Sequence, residues 1–339
     1  MHQRQCPPVQ EGRKVSLLPS RRICLVASGK LPIPPQGWGA VENVIWNTRL
    51  GLEAVGWQVD ILNLNRKWVA WELLRRRLTG RSYDWIYVHN EMALPSLARV
   101  EGLLRAKLVS LSHSGFADPA SIPGTKWFRR LTACRRHISL TAELADALRR
   151  HDDSFLVEQL PNGVEIDRFR FYPAGNGRAI CLGQIGARKR QARLADALSR
   201  GPDCDFVGPN DPKAEPRDLL GDDPRHLGSW TREEVYERLG AYSALVLFSE
   251  SEAQPLVILE ALACGLSVVG SPEALRGIDL SLPFVHRVED IALVPEALRR
   301  ALAENPGLRE SARQHAEENF AWSVVVQRLV ATLDRWTVN

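Results

Sequence analysis

The chain has 339 residues, of which 45% are hydrophobic and 25% charged, with a formal net charge of +4. That mixture excludes a chain disordered in bulk, and no apolar run approaches the ~18 residues of a membrane-spanning helix. At about 150 residues per domain two domains are expected.

The polar opening MHQRQCPPVQEGRK lacks the apolar stretch of a secretory signal, so a cytoplasmic protein is expected. The cysteines are Cys6, Cys24, Cys134, Cys181, Cys204 and Cys264, with no CxxC pair, so they read as reduced, apolar fillers and not as a zinc site. Charge is divided unevenly. Residues 1–160 hold 23 Lys and Arg against 14 Asp and Glu, net +9, and residues 161–339 hold 21 against 26, net −5. A basic first half suits an anionic lipid, a polyanion or a phosphorylated acceptor.

Residues 1–20 read as a flexible tail. Arg21–Ser28 is a strand, followed by a loop rich in proline and glycine and a helix that ends at Gly56. Strands follow at Trp57–Asn63, Asp84–Asn90, Lys107–His113, Arg135–Leu140 and within Ser154–Val164, with helices at Ala93–Leu104 and Thr141–His151. The rhythm restarts with strands at Ala179–Leu182, Cys204–Val207, Ala244–Phe248, Leu266–Val269 and Phe284–Val288. Helices alternate with them at Arg188–Leu198, Arg232–Leu239, Leu256–Cys264 and Val294–Ala303, and an amphipathic helical tail runs from Pro306 to Trp336. Such alternation predicts an α/β protein of two Rossmann-like, doubly wound parallel sheets joined near Pro161–Gly177, with a ligand cleft between them.

The segment Phe248–Ser271, FSESEAQPLVILEALACGLSVVGS, carries the most chemistry. Pro255 stands where a helix would begin and Gly265 where it would end. The amides of Leu256 and Val257 then have no partner inside the helix and make an anion site at its positive end. Glu252 and Glu260 flank that spot. Carboxylates there suit hydroxyls on either side of a phosphate, the layout of a sugar nucleotide.

Glu252…Glu260, with ALACG and VVGS behind it, resembles the donor motif of the family 4 retaining glycosyltransferases, which have the GT-B fold. GWGAVENVIW (Gly37–Trp46), SLSHSGF (Ser110–Phe116), LPNGVEIDRF (Leu160–Phe169), CLGQIGARKRQ (Cys181–Gln191) and ENFAWSVVVQRLVATLDRW (Glu318–Trp336) follow in the order that family expects. The resemblance implies an acceptor-binding domain over 21–165, a nucleotide-sugar domain over 166–316 and a closing helix over 317–339 that crosses back. It implies that Glu252 holds the donor hexose, Glu260 the ribose, and the Leu256 and Val257 amides the diphosphate. Lys189, beyond Gly183, would neutralise the departing phosphate. Gly39 would let the backbone approach the diphosphate, and His113 would sit by the reacting carbon. Gln184 replaces the arginine usual after Gly183, and Arg188 is the expected substitute. Ala40 replaces a glycine, and Ala253-Gln254-Pro255 replaces Gly-Phe-Gly.

The implied reaction moves a hexose from a nucleoside-diphosphate sugar to a hydroxyl of a glycan, glycolipid or small molecule. No Asp-x-Asp-like pair stands at a strand end in the cleft, so no metal and no cofactor beyond that co-substrate is expected, and no nucleic-acid partner. The rival readings are a nucleotide-sugar epimerase, a nicotinamide dehydrogenase (which lacks its G-x-G-x-x-G here) and a non-catalytic sugar-nucleotide binder. KWVAWELLRRRLTGR (Lys67–Arg81) and KWFRRLTACRRH (Lys126–His137) are basic and tryptophan-bearing. They suit either docking on their own domain or peripheral contact with an anionic membrane, with Trp68, Trp71, Leu74 and Leu78 forming one face of the first.

Overall fold

A computed structural model describes residues 21–37, 39–115 and 119–338. The expected tail and Cys6 lie outside them. The first half runs β1 (Arg22–Val26), α1 (Ala40–Ala54), β2 (Gln58–Leu62), α2 (Arg66–Leu78), β3 (Trp85–Val88), α3 (Leu94–Ala98), α4 (Glu101–Leu104), β4 (Lys107–Leu111), α5 (Lys126–Leu131), β5 (Arg136–Ser139), α6 (Ala142–His151) and β6 (Leu156–Gln159). The second half runs β7 (Ala179–Leu182), α7 (Gln191–Ala197), β8 (Cys204–Val207), α8 (Arg232–Arg238), β9 (Ala244–Leu247), α9 (Leu256–Ala263), β10 (Ser267–Gly270), β11 (Val285–Arg287), α10 (Val294–Phe320) and α11 (Trp322–Val338).

The strands form two parallel sheets, ordered β2-β1-β3-β4-β5-β6 and β11-β10-β9-β7-β8. β3, β7, β8, β9 and β10 are buried along their whole length, because helices cover both faces of each sheet. That is why they read in sequence as unbroken apolar runs. Helix starts are set locally. Thr141 accepts from the Leu144 amide at α6, and Thr231 and Glu234 form a reciprocal capping box at α8.

The strand order changes direction beside β1 in the first sheet and beside β7 in the second. The loops that leave β1 and β3 therefore diverge, as do those that leave β7 and β9. Crevices of this kind beyond the carboxyl ends of strands take ligands. Here the two crevices face one another.

Four elements differ from the sequence reading. The single helix expected at Ala93–Leu104 is divided into α3 and α4, with Val100 outside helical geometry between them. The helix expected at Arg188–Leu198 is a 3-10 turn over Ala187–Lys189 followed by α7, with Arg190 left-handed between them. α10 continues through Pro306 to Phe320, so residues 317–320 close α10 and the crossing helix begins at Trp322. Ala321 breaks the run because Val164 pairs with this segment, its amide donating to the Phe320 carbonyl at 2.7 Å. The face expected on α2 is also divided: Val69 and Leu73 are buried inward while Trp68, Trp71 and Leu78 face outward.

α11 packs on α1 of the first half, Val326 lying over Gly51. The Lys107 ammonium donates to the carbonyls of Trp336 and Thr337 at 2.8 and 2.7 Å, the end of α11 where the helix dipole is negative. Arg335 pairs with Glu158 and Arg21 with Asp334.

Candidate active site in the interdomain cleft

A cleft of about 1020 Å³ lies between the two sheets, lined by both halves of the chain. Gly39, His113, Gly183, Arg188, Lys189, Glu252, Leu256, Val257 and Glu260 all line it. The structure thus gathers every predicted site residue at one place.

The second half supplies the N-terminus of α9. The helix begins at Leu256, and Pro255 is its cap rather than its first residue. The Ile258 amide already donates to the Pro255 carbonyl at 3.1 Å, which leaves the Leu256 and Val257 amides as donors without a partner among the described residues. The other end of α9 is held by cations: Arg313 donates to Ala263 at 2.6 Å and Arg309 to Cys264 at 3.2 Å.

Glu252, five residues beyond β9, is an acceptor for three donors at one oxygen. Arg188 lies at 2.7 Å from Oε1, Lys189 at 3.3 Å, and the Ser249 hydroxyl donates at 3.1 Å. Burial pushes its carboxyl pKa up, but the Lys189 and Arg188 charges outweigh that and hold it below the ordinary carboxylate range. Arg188 also donates to the Ser251 carbonyl at 2.6 Å, so its guanidinium is committed to the Glu252 loop. The expected replacement for the missing arginine at Gln184 is thereby engaged with protein groups.

Gly183 ends β7 at φ +150°, and a Cβ there would come within 3.1 Å of the Lys189 ammonium. Its role is thus to let Lys189 lie against the backbone. Gly39 caps α1 in an extended conformation, with Pro35 at 3.0 Å and the Glu42 carboxylate at 3.3 Å from where a Cβ would stand. The need for glycine here comes from these neighbours within the protein. α1 also opens on the cleft with its N-terminus, since Gly39, Ala40 and Val41 line it.

Glu260 is buried on α9, and Arg232, the first residue of α8, donates to its Oε1 at 2.6 Å. Arg232 lies over the Tyr236 ring at 4.5 Å, and Tyr236 donates to Glu165 at 2.7 Å. Sequence spacing does not reveal the Arg232–Glu260 pair, 28 residues apart, because it follows from how α8 and α9 sit on the sheet. Trp230 is buried at the cleft wall against Tyr242.

A second missed residue is Gln254. Its side chain accepts from the Asn162 amide at 2.7 Å, and its backbone carbonyl accepts from the Asn162 side chain at 3.3 Å. These bonds tie the joint between the halves to the Glu252 loop. Gly115 presses against Ser251 and Glu252 from the other half, where a Cβ would fall within 2.7 Å of the Glu252 backbone.

From the first half, His113 follows β4, and its Nε2 lies 3.0 Å from Nδ1 of His89, at the end of β3. The rings are nearly coplanar, at 13°. Burial lowers His113 to about 4, and burial followed by the His113 charge holds His89 well below the usual imidazole range. Both are neutral at pH 7, so one proton is shared between the facing nitrogens. His137, bonded to Ser110 at 2.7 Å, is likewise lowered by burial to about 4.

A stability prediction follows from these histidines. Unfolded imidazoles titrate near ~6.5. Between pH 6.5 and 4 the unfolded chain binds more protons, so acidification through that window destabilises the fold. The buried His137 alone contributes roughly 3 kcal/mol by pH 4. The depressed Glu252 adds a further loss as the pH falls through its folded value. Urea midpoints should fall steadily from pH 7 to 4.5; a flat profile would contradict the buried, neutral assignment.

Residues 51–168 match the sequence profile of Glycosyltransferase Family 4. That stretch of the first half is similar to the family 4 glycosyltransferases. A comparison with curated proteins finds no match. Sucrose-phosphate synthase from Thermosynechococcus elongatus superposes with a TM-score of 0.74 at 16% identity, covering 94% of this chain and 99% of that one. HepE from Anabaena, in complex with UDP, gives 0.72 at 17%, covering 93% and 100%. The lipopolysaccharide outer core galactosyltransferase WaaB gives 0.67 at 15%, covering 93% and 99%. These likenesses establish the GT-B fold over almost the whole chain, and the family 4 match over residues 51–168 supports a glycosyltransferase. Among the described residues no cluster of His, Cys, Asp or Glu is gathered to hold a metal ion, and no helix is long and apolar enough to cross a membrane.

Proposed function

We propose that this glycosyltransferase moves a hexose from a nucleoside-diphosphate sugar to an acceptor hydroxyl, with retention at the anomeric carbon and without a metal ion. The observation that carries this reading is the N-terminus of α9. Its free Leu256 and Val257 amides open on the cleft between two carboxylates, with Lys189 beside them. The HepE structures hold UDP and UDP-glucose, which supports the donor class.

The roles follow from charge and reach. The diphosphate meets the amides of Leu256 and Val257, where the helix dipole favours an anion. Lys189 neutralises the charge that grows on the leaving β-phosphate, and Arg188 adds to the field when it leaves Glu252. The three donors on Glu252 converge on Oε1, which leaves Oε2 to accept from the hexose. Arg232 takes Oε1 of Glu260 and leaves Oε2 to the ribose. Donors fixed before the reaction stabilise developing charge without reorganising.

The acceptor oxygen attacks the anomeric carbon from the face the phosphate leaves. The sugar–phosphate bond breaks, and the departing phosphate oxygen takes the acceptor proton. His113, neutral and held by His89, orients the hexose beside the reacting carbon. The Asn162–Gln254 bonds and the Gly115 contact favour a closed cleft that keeps water out. The acceptor, a hydroxyl of a glycan, glycolipid or small molecule, binds on the first half. The enzyme works in the cytoplasm, and its first half meets an anionic membrane at the periphery.

A thermal-shift panel of UDP-, GDP- and dTDP-hexoses tests the donor. At a hundredfold excess over Kd the matching ligand stabilises by about 2.7 kcal/mol, and Glu260→Ala should abolish the shift. No response to any nucleotide sugar would overturn the reading. Transfer should persist in EDTA, and loss on chelation would overturn the metal-free part.

A further inference from the structure

α2 is an outlier on the surface of the first half. Val69 and Leu73 already anchor it to the core, yet its outward side carries Trp68 at 61% exposure, Trp71 at 58% and Leu78 at 87%. Positions 68, 71, 75 and 78 share one stripe of a helix. The two indoles meet edge to face at 6.5 Å, so they form one apolar surface. A helix that is docked on one side gains nothing for its fold by exposing two tryptophans on the other.

Beyond Arg75 and Arg76, the cations of α2 have no ion-pair partner among the described residues. Glu72 pairs with Arg75 and Arg76. Arg66, Lys67 and Arg77 make no ion pair among the described residues, nor do Arg99 and Arg105 on the neighbouring α3–α4 segment. The segment before α2 is tied to a loop that lines the cleft. Asn63 donates to the Leu31 carbonyl at 2.8 Å and accepts from the Gly29 amide at 2.8 Å, which fastens the loop after β1 to the start of α2. Leu31 and Leu64 are exposed there, and Pro34 to Gly37 of the same loop line the cleft.

We propose that the outward face of α2, from Leu64 to Leu78, is a membrane-docking surface for an anionic bilayer: Trp68, Trp71 and Leu78 enter the interface while Arg66, Lys67 and Arg77 meet lipid phosphates. Indoles suit the boundary between headgroups and acyl chains, and flanking cations add attraction to anionic lipid. The start of α2 is tied to the loop whose residues 34–37 line the cleft, so an acceptor carried in the bilayer would reach the site without leaving it. That purpose rests on the transfer reading above; the docking itself does not.

Flotation of the full chain with vesicles separates the two. Wild type should float with phosphatidylcholine vesicles containing phosphatidylglycerol, less so with phosphatidylcholine alone, and less as salt rises. Trp68→Ser/Trp71→Ser and, separately, Lys67→Glu/Arg77→Glu should each lower partitioning by at least about tenfold. Both should keep the wild-type thermal shift with a nucleotide sugar. Equal recovery on neutral and anionic vesicles, or wild-type flotation of a folded double variant, overturns the proposal. So does a wild-type dimer that the tryptophan variant converts to monomer, since a second copy would then cover the face. Failure of every nucleotide sugar to bind, with flotation intact, overturns the transfer reading and leaves the docking surface standing.

Discussion

Lys189→Met is expected to lower kcat by about 10²- to 10³-fold, the usual loss when one fixed donor to developing charge is removed. The side chain is only 13% exposed and lies 3.3 Å from Glu252, so its ammonium is placed by the protein before any donor arrives. Its contribution should be larger in the transition state than in the ground state, because charge on the departing phosphate is greatest there. Loss should therefore appear mainly in kcat, with donor affinity changing less. Gly183→Ala should move in the same direction by a smaller factor, since its Cβ would press on the Lys189 ammonium at 3.1 Å and the backbone there is left-handed. Glu252→Gln should act differently, freeing Arg188 and Lys189 while weakening the grip on the hexose. Single-turnover kinetics with the donor found by thermal shift would distinguish these. A Lys189→Met enzyme with unchanged kcat, or one whose whole deficit lies in donor affinity, would remove Lys189 from the reacting centre.

Much of this site is legible in the sequence because the structures that build it are local. β9, its loop and α9 occupy one continuous stretch, and the free amides of Leu256 and Val257 follow from any helix that starts there. The strands are legible because two covered faces demand unbroken apolar runs, as at Ala244–Leu247. What sequence spacing does not supply is pairing between distant segments. Arg232 reaches Glu260, Gln254 reaches Asn162 and His89 reaches His113 only once the sheets are assembled. The same cause explains α10. Proline normally ends a helix, yet Asn305 and Arg309 hold the backbone on either side of Pro306 by bonds to β10 and to the end of α9, and the helix passes through. The break comes at Ala321, where the interdomain segment at Val164 claims the chain. On α2 the periodicity is ambiguous because both sides are apolar, and only packing decides that Val69 and Leu73 turn inward.

Arg309→Met should destabilise the protein by about 3–5 kcal/mol, although residue 309 touches neither cleft nor solvent. The side chain is 1% exposed and has no carboxylate partner among the described residues. Its guanidinium donates to the carbonyls of Tyr172, Tyr242, Gly240 and Cys264 at 3.0, 2.8, 2.7 and 3.2 Å, and to the Asn305 side chain at 2.9 Å. Burial lowers its pKa, the signature of a charge held by dipoles alone. Methionine restores most of the volume but leaves four carbonyls without donors, each costing about 1–3 kcal/mol less whatever the relieved charge returns. Arg309→Lys should fare little better, since an ammonium cannot present the planar fork those carbonyls meet. Arg300→Ala, an exposed partner of Glu304 on the same helix, should cost no more than about 0.5 kcal/mol and serves as the control. A urea midpoint for Arg309→Met equal to that control would show that the carbonyls find other donors. The loss should also reach the cleft. Cys264 and Ala263 end α9, and Arg309 and Arg313 hold that end as cations at the negative pole of the helix. The other pole carries the Leu256 and Val257 amides, so the residues that anchor the helix in the core also fix where those donors open on the cleft.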